Sequence, residues 1–204
     1  MHMIRTHIKI PIQVSVAVSG GPDSMAVLDF LRRGRKDLQV LHFNHGTTHA
    51  DIAQEAVERY CEKWKLGLRI GKIQDSPPAG ESMENFWRAR RYEFFYQDTG
   101  RKVITCHHLD DVVETWIFTS LHGTPRLIPQ ERDHIIRPFL TTPKEVLAEW
   151  CHRKDVEYVT DPTNQDTAFM RNFIRHELVP RAVRVNPGIK KTIRKKLLQH
   201  PAIY

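Results

Sequence analysis

Short apolar runs alternate with amphipathic runs along most of the chain. The short runs are rich in Val, Ile and Leu and predict buried strands, whereas the longer ones repeat apolar side chains every three to four residues and predict helices. Strands are predicted over residues 14–18, 38–44, 68–73, 102–106 and 156–159. Helices are predicted over residues 24–33, 51–66, 82–96, 110–121 and 143–154. This alternation indicates an α/β fold with a doubly wound parallel sheet.

Capping signals indicate where two of these helices begin. Asp51 is a candidate N-cap for the second helix, because Gln54 follows it three residues later. Thr142 is the candidate N-cap of the fifth helix, with Pro143 at the first helical position and Glu145 closing a capping box.

The pattern loosens after the fourth predicted helix. Pro125, Pro129 and Pro138 predict an irregular crossover up to residue 140. The end of the chain is predicted to be helical and basic. We therefore expect two units, an α/β domain over residues 1–165 and a short basic helical appendage over residues 166–204.

Composition is that of a globular protein. The chain has 204 residues, of which 40% are hydrophobic and 27% charged. No apolar stretch approaches the ~20 residues of a membrane span, and no secretory signal is visible, so we expect a cytoplasmic protein with no membrane partner. Cys61, Cys106 and Cys151 form no C-x-x-C pair, which argues against a disulfide framework or a four-cysteine zinc site. The net charge of +7 suits a polyanionic partner.

The most specific local pattern is the segment SGGPDS at residues 19–24, between the first strand and the first helix. Gly20 and Gly21 permit a tight turn in which successive N–H groups face an anion. The helix that begins near Ser24 directs its positive dipole end to the same place. The Lys-Ser/Thr ending of a Walker A loop is absent, so this phosphate loop differs from that of a γ-phosphate-hydrolysing protein.

A second concentration of chemistry follows the fourth strand, where parallel sheets place their sites. It consists of His107, His108, Asp110, Asp111 and Glu114. His108 and Asp110 are also suitable caps for the fourth helix. A zinc site from His107, His108 and Asp111 is the weaker interpretation, because adjacent side chains on a strand point to opposite faces.

The order of these motifs resembles a known enzyme family. SGGxDS is the loop of the ATP-pyrophosphatases, which have a Rossmann-like fold of the adenine nucleotide alpha hydrolase type. Other segments resemble the tRNA(Ile)-lysidine synthetase family within that group: HFNHG at 42–46, Glu84 to Tyr92, HHLDDVVET at 107–115, RPFL at 137–140, DPTN at 161–164, and 171–175.

The resemblance implies a two-step reaction. Such an enzyme uses ATP and Mg²⁺ to adenylate the C2 carbonyl oxygen of the wobble cytidine of tRNA(Ile) with a CAU anticodon, releasing pyrophosphate. The ε-amine of free L-lysine then displaces AMP and forms lysidine.

This reaction implies specific roles for the residues of the phosphate loop. Ser19, Gly20, Gly21 and Ser24 are expected to cradle the pyrophosphate. Asp23 would be unfavourable beside ATP without a metal between them, so we assign it to Mg²⁺. Phe43, Asn44 and His45 are expected to hold the adenosine, since the second strand ends beside the first.

The cluster after the fourth strand is expected to handle the lysine. Asp111 would grip the amine and His107 would take its proton, with Asp110 as a further metal or lysine ligand. Arg88 is expected to act in catalysis. Arg88 and Arg91 could both reach the α-phosphate or the tRNA. The alternative is that these arginines only form ion pairs on a solvent-exposed helix face.

The basic tail is expected to contact tRNA. Its candidate residues are Arg171, Arg175, Lys190 and Lys191, although such runs are often solvated helix faces. Members of the family commonly continue into accessory domains that grip tRNA. Without them, recognition would rely on a smaller contact surface, a homodimer or an unusual tRNA.

Two other functions compete with this one. A tRNA thiolase of the same superfamily would be expected to show a cysteine pair near the site, and Cys106 is alone. A catalytically inactive nucleotide-binding descendant would not need the clustered carboxylates.

Overall fold

The computed structural model describes residues 3–98 and 100–199, and its centre is a six-stranded sheet. The sheet has the order β3-β2-β1-β4-β6-β5, and every pairing is parallel except that of β5 with β6. The strands are β1 (Gln13–Ala17), β2 (Asp37–Asn44), β3 (Gly67–Lys72), β4 (Lys102–Thr105), β5 (Glu131–Arg132) and β6 (Ile135–Ile136).

Helices connect the strands and continue beyond them. They are α1 (Pro22–Arg33), α2 (Thr48–Trp64), α3 (Met83–Tyr96), α4 (Leu109–Leu121), α5 (Lys144–Lys154), a 3₁₀ turn (Pro162–Gln165), α6 (Met170–Phe173), a π-helical segment (Ile174–Leu178), α7 (Val179–Val185) and α8 (Ile189–Gln199). None of the helices within residues 3–98 and 100–199 is both long and apolar enough to cross a membrane.

The sheet is covered on both faces, as the alternation in the sequence predicts. Val16 and Ile104 point to one face and pack with apolar residues of α1, α2 and α5. Their neighbours Ala17 and Val103 point to the other face, where Phe95 of α3 packs. The doubly wound parallel sheet is confirmed, because successive side chains of a strand alternate between two apolar layers.

Two predictions about strands are wrong. Residues 156–159 form no strand; instead the Val159 N–H donates to the Gly20 carbonyl at 2.9 Å, so this segment binds the phosphate loop rather than a sheet edge. The stretch expected to be irregular contains the hairpin β5–β6, whose strands have only two residues each and are too short to give a periodic signal.

Two predicted helix caps are also wrong. Helix α2 begins at Thr48, because the Thr47 hydroxyl accepts the Ala50 N–H at 3.1 Å, while Asp51 lies inside the helix. Helix α5 has Pro143 as its N-cap without a side-chain hydrogen bond. The Thr142 hydroxyl donates to the Arg5 carbonyl at 2.7 Å instead and fixes the N-terminal segment.

The tail packs against α4. Val113 and Ile117 of α4 share an apolar cluster with Ile174, Ile193 and Leu197 of the tail. The division near residue 165 stays a prediction, and residues 200–204 of the predicted tail lie outside the described residues.

Candidate active site

A cleft of about 730 Å³ lies at the carboxyl ends of β1, β2 and β4. Strand β1 is central and its neighbours lie on opposite sides of it, which is the switch point where open α/β sheets bind ligands. The cleft brings together many of the predicted site residues: Ser19, Gly21, Asp23, Ser24, Phe43, His45, His107, Asp111, Arg171 and Arg175. Gly20, Asn44, Arg88, Asp110, Lys190 and Lys191 are not among its lining residues.

The phosphate loop is held in shape by its own serines. Ser24 Oγ donates to the Gly21 carbonyl at 3.0 Å and accepts the Ser19 N–H at 3.1 Å. Gly21 is the N-cap of α1, and Pro22 opens the helix at a position whose N–H has no intrahelical partner in any case. Pro22, Asp23 and Ser24 line the cleft, so the first-turn N–H groups form an anion-binding end beside it.

Gly20 is required by both conformation and space. Its φ is +84°, and an added Cβ would lie 3.0 Å from the Cβ and the carbonyl oxygen of Ala53 in α2. Gly80 has a similar φ of +88° but no atom within 4 Å of an added Cβ. Comparing Gly20 with Gly80 therefore separates the effect of backbone strain from that of a steric clash.

We expect Gly20→Ala to destabilise the protein more than Gly80→Ala does. Both variants carry a positive φ, which costs roughly 1–2 kcal/mol for a non-glycine residue. Only Gly20→Ala must also displace the α2 backbone, so it should weaken ATP binding as well. Urea unfolding and nucleotide titration measure the two effects, and equal unfolding free energies for both variants would show that the Ala53 contact is unimportant.

Asp23 fits a metal ligand. Its Oδ1 is buried and has no hydrogen-bond partner among residues 3–98 and 100–199, while its Oδ2 lies 3.4 Å from His108 Nε2 and 3.9 Å from Lys144 Nζ. No group of three or more His, Cys, Asp or Glu side chains in those ranges is arranged to hold a metal. One carboxylate at a phosphate loop matches Mg²⁺, which is usually bound by one or two carboxylates and the substrate phosphates.

The proposed adenosine side is aromatic. The rings of Phe43 and His45 lie 5.2 Å apart, and those of His45 and Trp87 lie 5.3 Å apart. Burial, with a contribution from Arg91, lowers the pKa of His45 to about 4, so the ring is neutral at pH 7. Asn44 is different: its amide donates to Asp51 at 2.9 Å and it is fully buried, so it supports the turn into α2 rather than lining the cleft.

The carboxylates of α4 are engaged by cations of the tail. Asp111 Oδ1 accepts from Arg171 at 2.5 Å, and Glu114 accepts from Arg175 at 2.7 Å. Burial alone would raise the pKa of Asp111, but His108 and Arg171 hold it well below its usual value. Asp111 is therefore an anion at neutral pH.

Asp110 does not line the cleft. It forms an ion pair of 2.5 Å with Lys190 and accepts the Lys144 backbone N–H at 2.8 Å. Its expected role as a lysine or metal ligand is not favoured by this geometry, because the carboxylate already connects α4 with α5 and α8.

The two histidines after β4 have different tasks. His108 caps α4 and, with Asp111, forms a capping box. His107 lines the cleft, and its Nδ1 lies 3.0 Å from Thr105 Oγ1. Burial, reinforced by Arg137, Arg171 and Arg88, lowers the pKa of His107 to about 3 despite the opposing charge of Asp111. The imidazole is therefore neutral and a weak base, and Nε2 is free to accept a proton only in the tautomer whose Nδ1–H donates to Thr105.

Two cationic residues that are not among the main predicted site residues also line the cleft. Arg91 faces it from α3, whereas Arg88 is exposed and stacks over the Tyr92 ring at 5.0 Å. The helical spacing could have distinguished them, since Arg91 follows Trp87 by one turn. Lys144 lines the cleft from the start of α5, and no local signal connects it to Asp23.

Three of the predicted tRNA contacts already have carboxylate partners. Arg171 and Arg175 are paired with α4, and Lys190 is paired with Asp110, so a tRNA phosphate would have to compete with those groups. Lys191 is exposed on α8. Three further exposed cations of the tail are Arg184, Lys195 and Lys196.

Known proteins resemble this chain in sequence and in fold. The tRNA(Ile)-lysidine synthase of Thermotoga sp. (strain RQ2) is 33% identical over 197 residues, which are 88% of this chain and 47% of the relative. The synthase of Petrotoga mobilis is 32% identical over 197 residues, 88% of this chain and 63% of the relative. The chain thus spans about half the length of the first of these relatives.

Solved structures with the same fold are more distant in sequence. The NH3-dependent NAD synthetase from Campylobacter jejuni has a TM-score of 0.52 at 15% identity, covering 96% of this chain and 87% of that one. The NMN synthetase from Francisella tularensis has a TM-score of 0.54 at 12% identity, covering 94% and 87%. The PP-loop domain matches residues 4–182, which include the phosphate loop and the α4 cluster. The chain belongs to the PP-loop domain family.

Proposed function

We propose that this chain carries the catalytic site of a tRNA(Ile)-lysidine synthase. The substrates would be ATP, free L-lysine and tRNA(Ile) with a CAU anticodon. The observation that carries the proposal is the cleft itself, which joins a phosphate loop, a neutral His107 and the anionic Asp111 within one cavity. The two relatives named above carry the same assignment in their names.

In the first step the C2 carbonyl oxygen of cytidine attacks the α-phosphorus of ATP. A P–O bond forms, the bond to the β-phosphate oxygen breaks, and pyrophosphate leaves. The loop N–H groups would hold the departing phosphates, and Lys144, whose Nζ lies 3.9 Å from Asp23 Oδ2, would add a positive charge there. Mg²⁺, bound through Asp23 and the phosphates, would neutralise charge on the triphosphate.

In the second step the ε-amine of lysine attacks C2. The C–N bond forms, the C2–O bond breaks, and AMP leaves with that oxygen. Because lysine is an ammonium ion at neutral pH, it must lose protons before and after the attack. Asp111 would attract the ammonium group. His107 would accept a proton at Nε2 in the tautomer whose Nδ1–H donates to Thr105, and the bound substrates would have to raise its low pKa for this transfer.

The two half-reactions provide a direct test. Pyrophosphate release should require ATP, Mg²⁺ and tRNA(Ile), and AMP release should require lysine in addition. Omission of lysine should trap an adenylated tRNA. Pyrophosphate release that is unaffected by tRNA would contradict the proposal.

Cys106→Ser should retain most of the activity with lysine. Cys106 lines the cleft, but its thiol donates to the Ala17 carbonyl at 3.3 Å, and burial raises its pKa well above the usual value. A protonated thiol is a poor nucleophile, which disfavours a thiolase. Steady-state AMP release measures the effect; a sulfur-containing tRNA product that is lost in Cys106→Ser would support the thiolase instead.

The exposed lysines of α8 are the better test of tRNA binding. Deleting α8 would remove Ile193 and Leu197 from the cluster on α4 and damage the fold. We therefore expect the triple change of Lys191, Lys195 and Lys196 to Gln to weaken tRNA binding. Each lost phosphate contact should lower the slope of log K against log salt by roughly 0.7–0.9.

A charge-matched control uses Lys9, Lys63 and Lys154, which are exposed and lie outside both cleft and tail. Their change to Gln should leave the salt dependence of tRNA binding nearly as it is in the wild type. Equal slopes for both triple variants, measured by filter binding over a range of salt, would assign the α8 lysines to a solvated helix face.

A further inference from the structure

Three large apolar side chains are exposed within five residues of the tail. Phe169, Met170 and Phe173 have exposed fractions of 45%, 59% and 40%. None of them belongs to an apolar cluster formed by residues 3–98 and 100–199. Single exposed apolar side chains are common on proteins, but such a concentration of them indicates a contact surface.

The backbone around these side chains is held in place. Asn172 is buried, and its amide donates to the carbonyls of Thr163 and Asp166 at 2.9 Å each. Ile174, the residue after Phe173, packs in the apolar cluster on α4. The 3₁₀ turn, α6 and α4 are therefore joined, and the exposed side chains between them are presented from a fixed backbone.

Phe169 is the member of this group that lines the cleft. The segment before it borders the cleft as well, because Val159 and Asn164 line it and the Val159 N–H donates to the Gly20 carbonyl. Asp111 lines the same cleft but is only 6% exposed, whereas almost half of Phe169 is exposed. Phe169 therefore lies at the rim, where the cleft meets solvent.

The proposed function requires one base of the anticodon loop to leave its stack. The C2 carbonyl of the cytidine must reach the α-phosphate of ATP, so this nucleotide enters the cleft and the bases beside it lose a stacking partner. Aromatic side chains commonly replace such a partner, because every base has a π-face. A residue at the rim meets the neighbouring bases, since the cytidine itself must pass further in, to the phosphate loop.

The charges along the cleft favour RNA over an apolar segment of a protein. Arg91 and Lys144 line the cleft, and so does Arg171, which follows Phe169 by two residues. A polyanionic chain drawn in by these cations would pass the exposed ring at the rim. An apolar segment of a protein would gain little from the same cations.

We propose that Phe169 stacks on a nucleobase next to the modified cytidine, at the rim of the cleft. This inference rests on the proposed function, in which the cytidine enters the cleft. The stack holds the anticodon loop open and contributes affinity for tRNA, without contact to ATP or lysine.

Phe169→Ala removes the ring from an exposed position, so its thermal stability should match that of the wild type. We expect tRNA(Ile) binding, measured by filter binding, to weaken by about 5- to 150-fold, the usual effect of losing one base–aromatic stack, while the KM for ATP stays unchanged. Phe169→Tyr should bind like the wild type, and Phe169→Leu, which is apolar but has no ring, should lose most of the affinity.

Phe118→Ala is the matched control. Phe118 is exposed to a similar extent on α4 and is not among the residues that line the cleft. Its replacement should leave tRNA binding as it is in the wild type.

Removal of single bases from the tRNA identifies the partner of the ring. tRNA(Ile) is prepared with an abasic nucleotide immediately before or immediately after the cytidine. Loss of the base that stacks on Phe169 should weaken binding to the wild type but have little further effect on Phe169→Ala, because groups in contact give non-additive changes. Loss of the other base should weaken binding to both proteins by the same factor.

The outcomes separate this inference from the proposed function. Additive losses for both abasic tRNAs, or tRNA binding by Phe169→Ala or Phe169→Leu as tight as that of the wild type, would overturn the stacking contact while lysidine synthesis by the wild type still stands. A wild-type protein that forms no lysidine would overturn the proposed function, and the inference with it.

Discussion

Asp23→Ala is expected to abolish pyrophosphate release while the protein still folds. The carboxylate lies at the start of α1, and one of its oxygens has no hydrogen-bond partner in the described part of the chain. Mg²⁺ at that oxygen would supply the positive charge that makes ATP binding compatible with an acidic residue. We expect a fall in kcat on the order of 10³-fold or more, because metal and phosphate positioning are lost together. Pyrophosphate release at saturating ATP measures it.

Asp23→Asn is the companion variant because it preserves shape without charge. It should resemble Asp23→Ala in catalysis, and both should show far-UV circular dichroism like that of the wild type. Asp75→Ala, in an exposed turn, controls for the general loss of a carboxylate. Turnover of Asp23→Ala at the wild-type rate would remove the Mg²⁺ assignment.

Asp111→Asn is expected to impair the lysine step more than adenylation. Asp111 is 6% exposed and lines the cleft, but one oxygen accepts from Arg171 and the other from the His108 backbone N–H, so an incoming ammonium group would share the carboxylate with these donors. A charged hydrogen bond contributes roughly 1.5–3 kcal/mol, which corresponds to about a 10- to 100-fold loss in kcat/KM for lysine. Pyrophosphate release should fall much less, as measured with radiolabelled ATP.

Asp110→Asn makes the same charge change one residue earlier. Since Asp110 is bound to Lys190 and to the Lys144 backbone, we expect the ratio of the two half-reactions to stay near that of the wild type. If Asp111→Asn lowers both half-reactions equally, Asp111 belongs to the ATP site.

The sequence was sufficient to predict features that depend on neighbouring residues. The phosphate loop lies where the sequence predicts it, because the end of β1 at Ala17 and the start of α1 after Gly21 need only local information. Alternating apolar residues likewise predicted both faces of the sheet. His107 could be placed in the cleft because the carboxyl ends of parallel strands share one edge.

Features that depend on distant partners could not be predicted in this way. The contact of the tail arginines with tRNA stays a prediction, and the sequence does not reveal that Arg171 and Arg175 bind Glu114 of α4, a pairing that only the folded chain creates. The pattern of residues 156–159 predicts a strand of the sheet, but the Val159 N–H donates to the Gly20 carbonyl of the phosphate loop instead. Likewise, the Thr142 hydroxyl donates to the distant Arg5 carbonyl and does not cap a helix.

The chemical identity of the modified nucleoside tests the proposed lysidine synthesis directly. The protein is mixed with ATP, Mg²⁺, isotopically labelled lysine and tRNA(Ile) with a CAU anticodon, and the digested nucleosides are analysed by mass spectrometry. We predict a cytidine whose mass has increased by one lysine less one water and which carries the label. Unmodified cytidine, or a sulfur-containing product that lacks the label, would contradict this prediction.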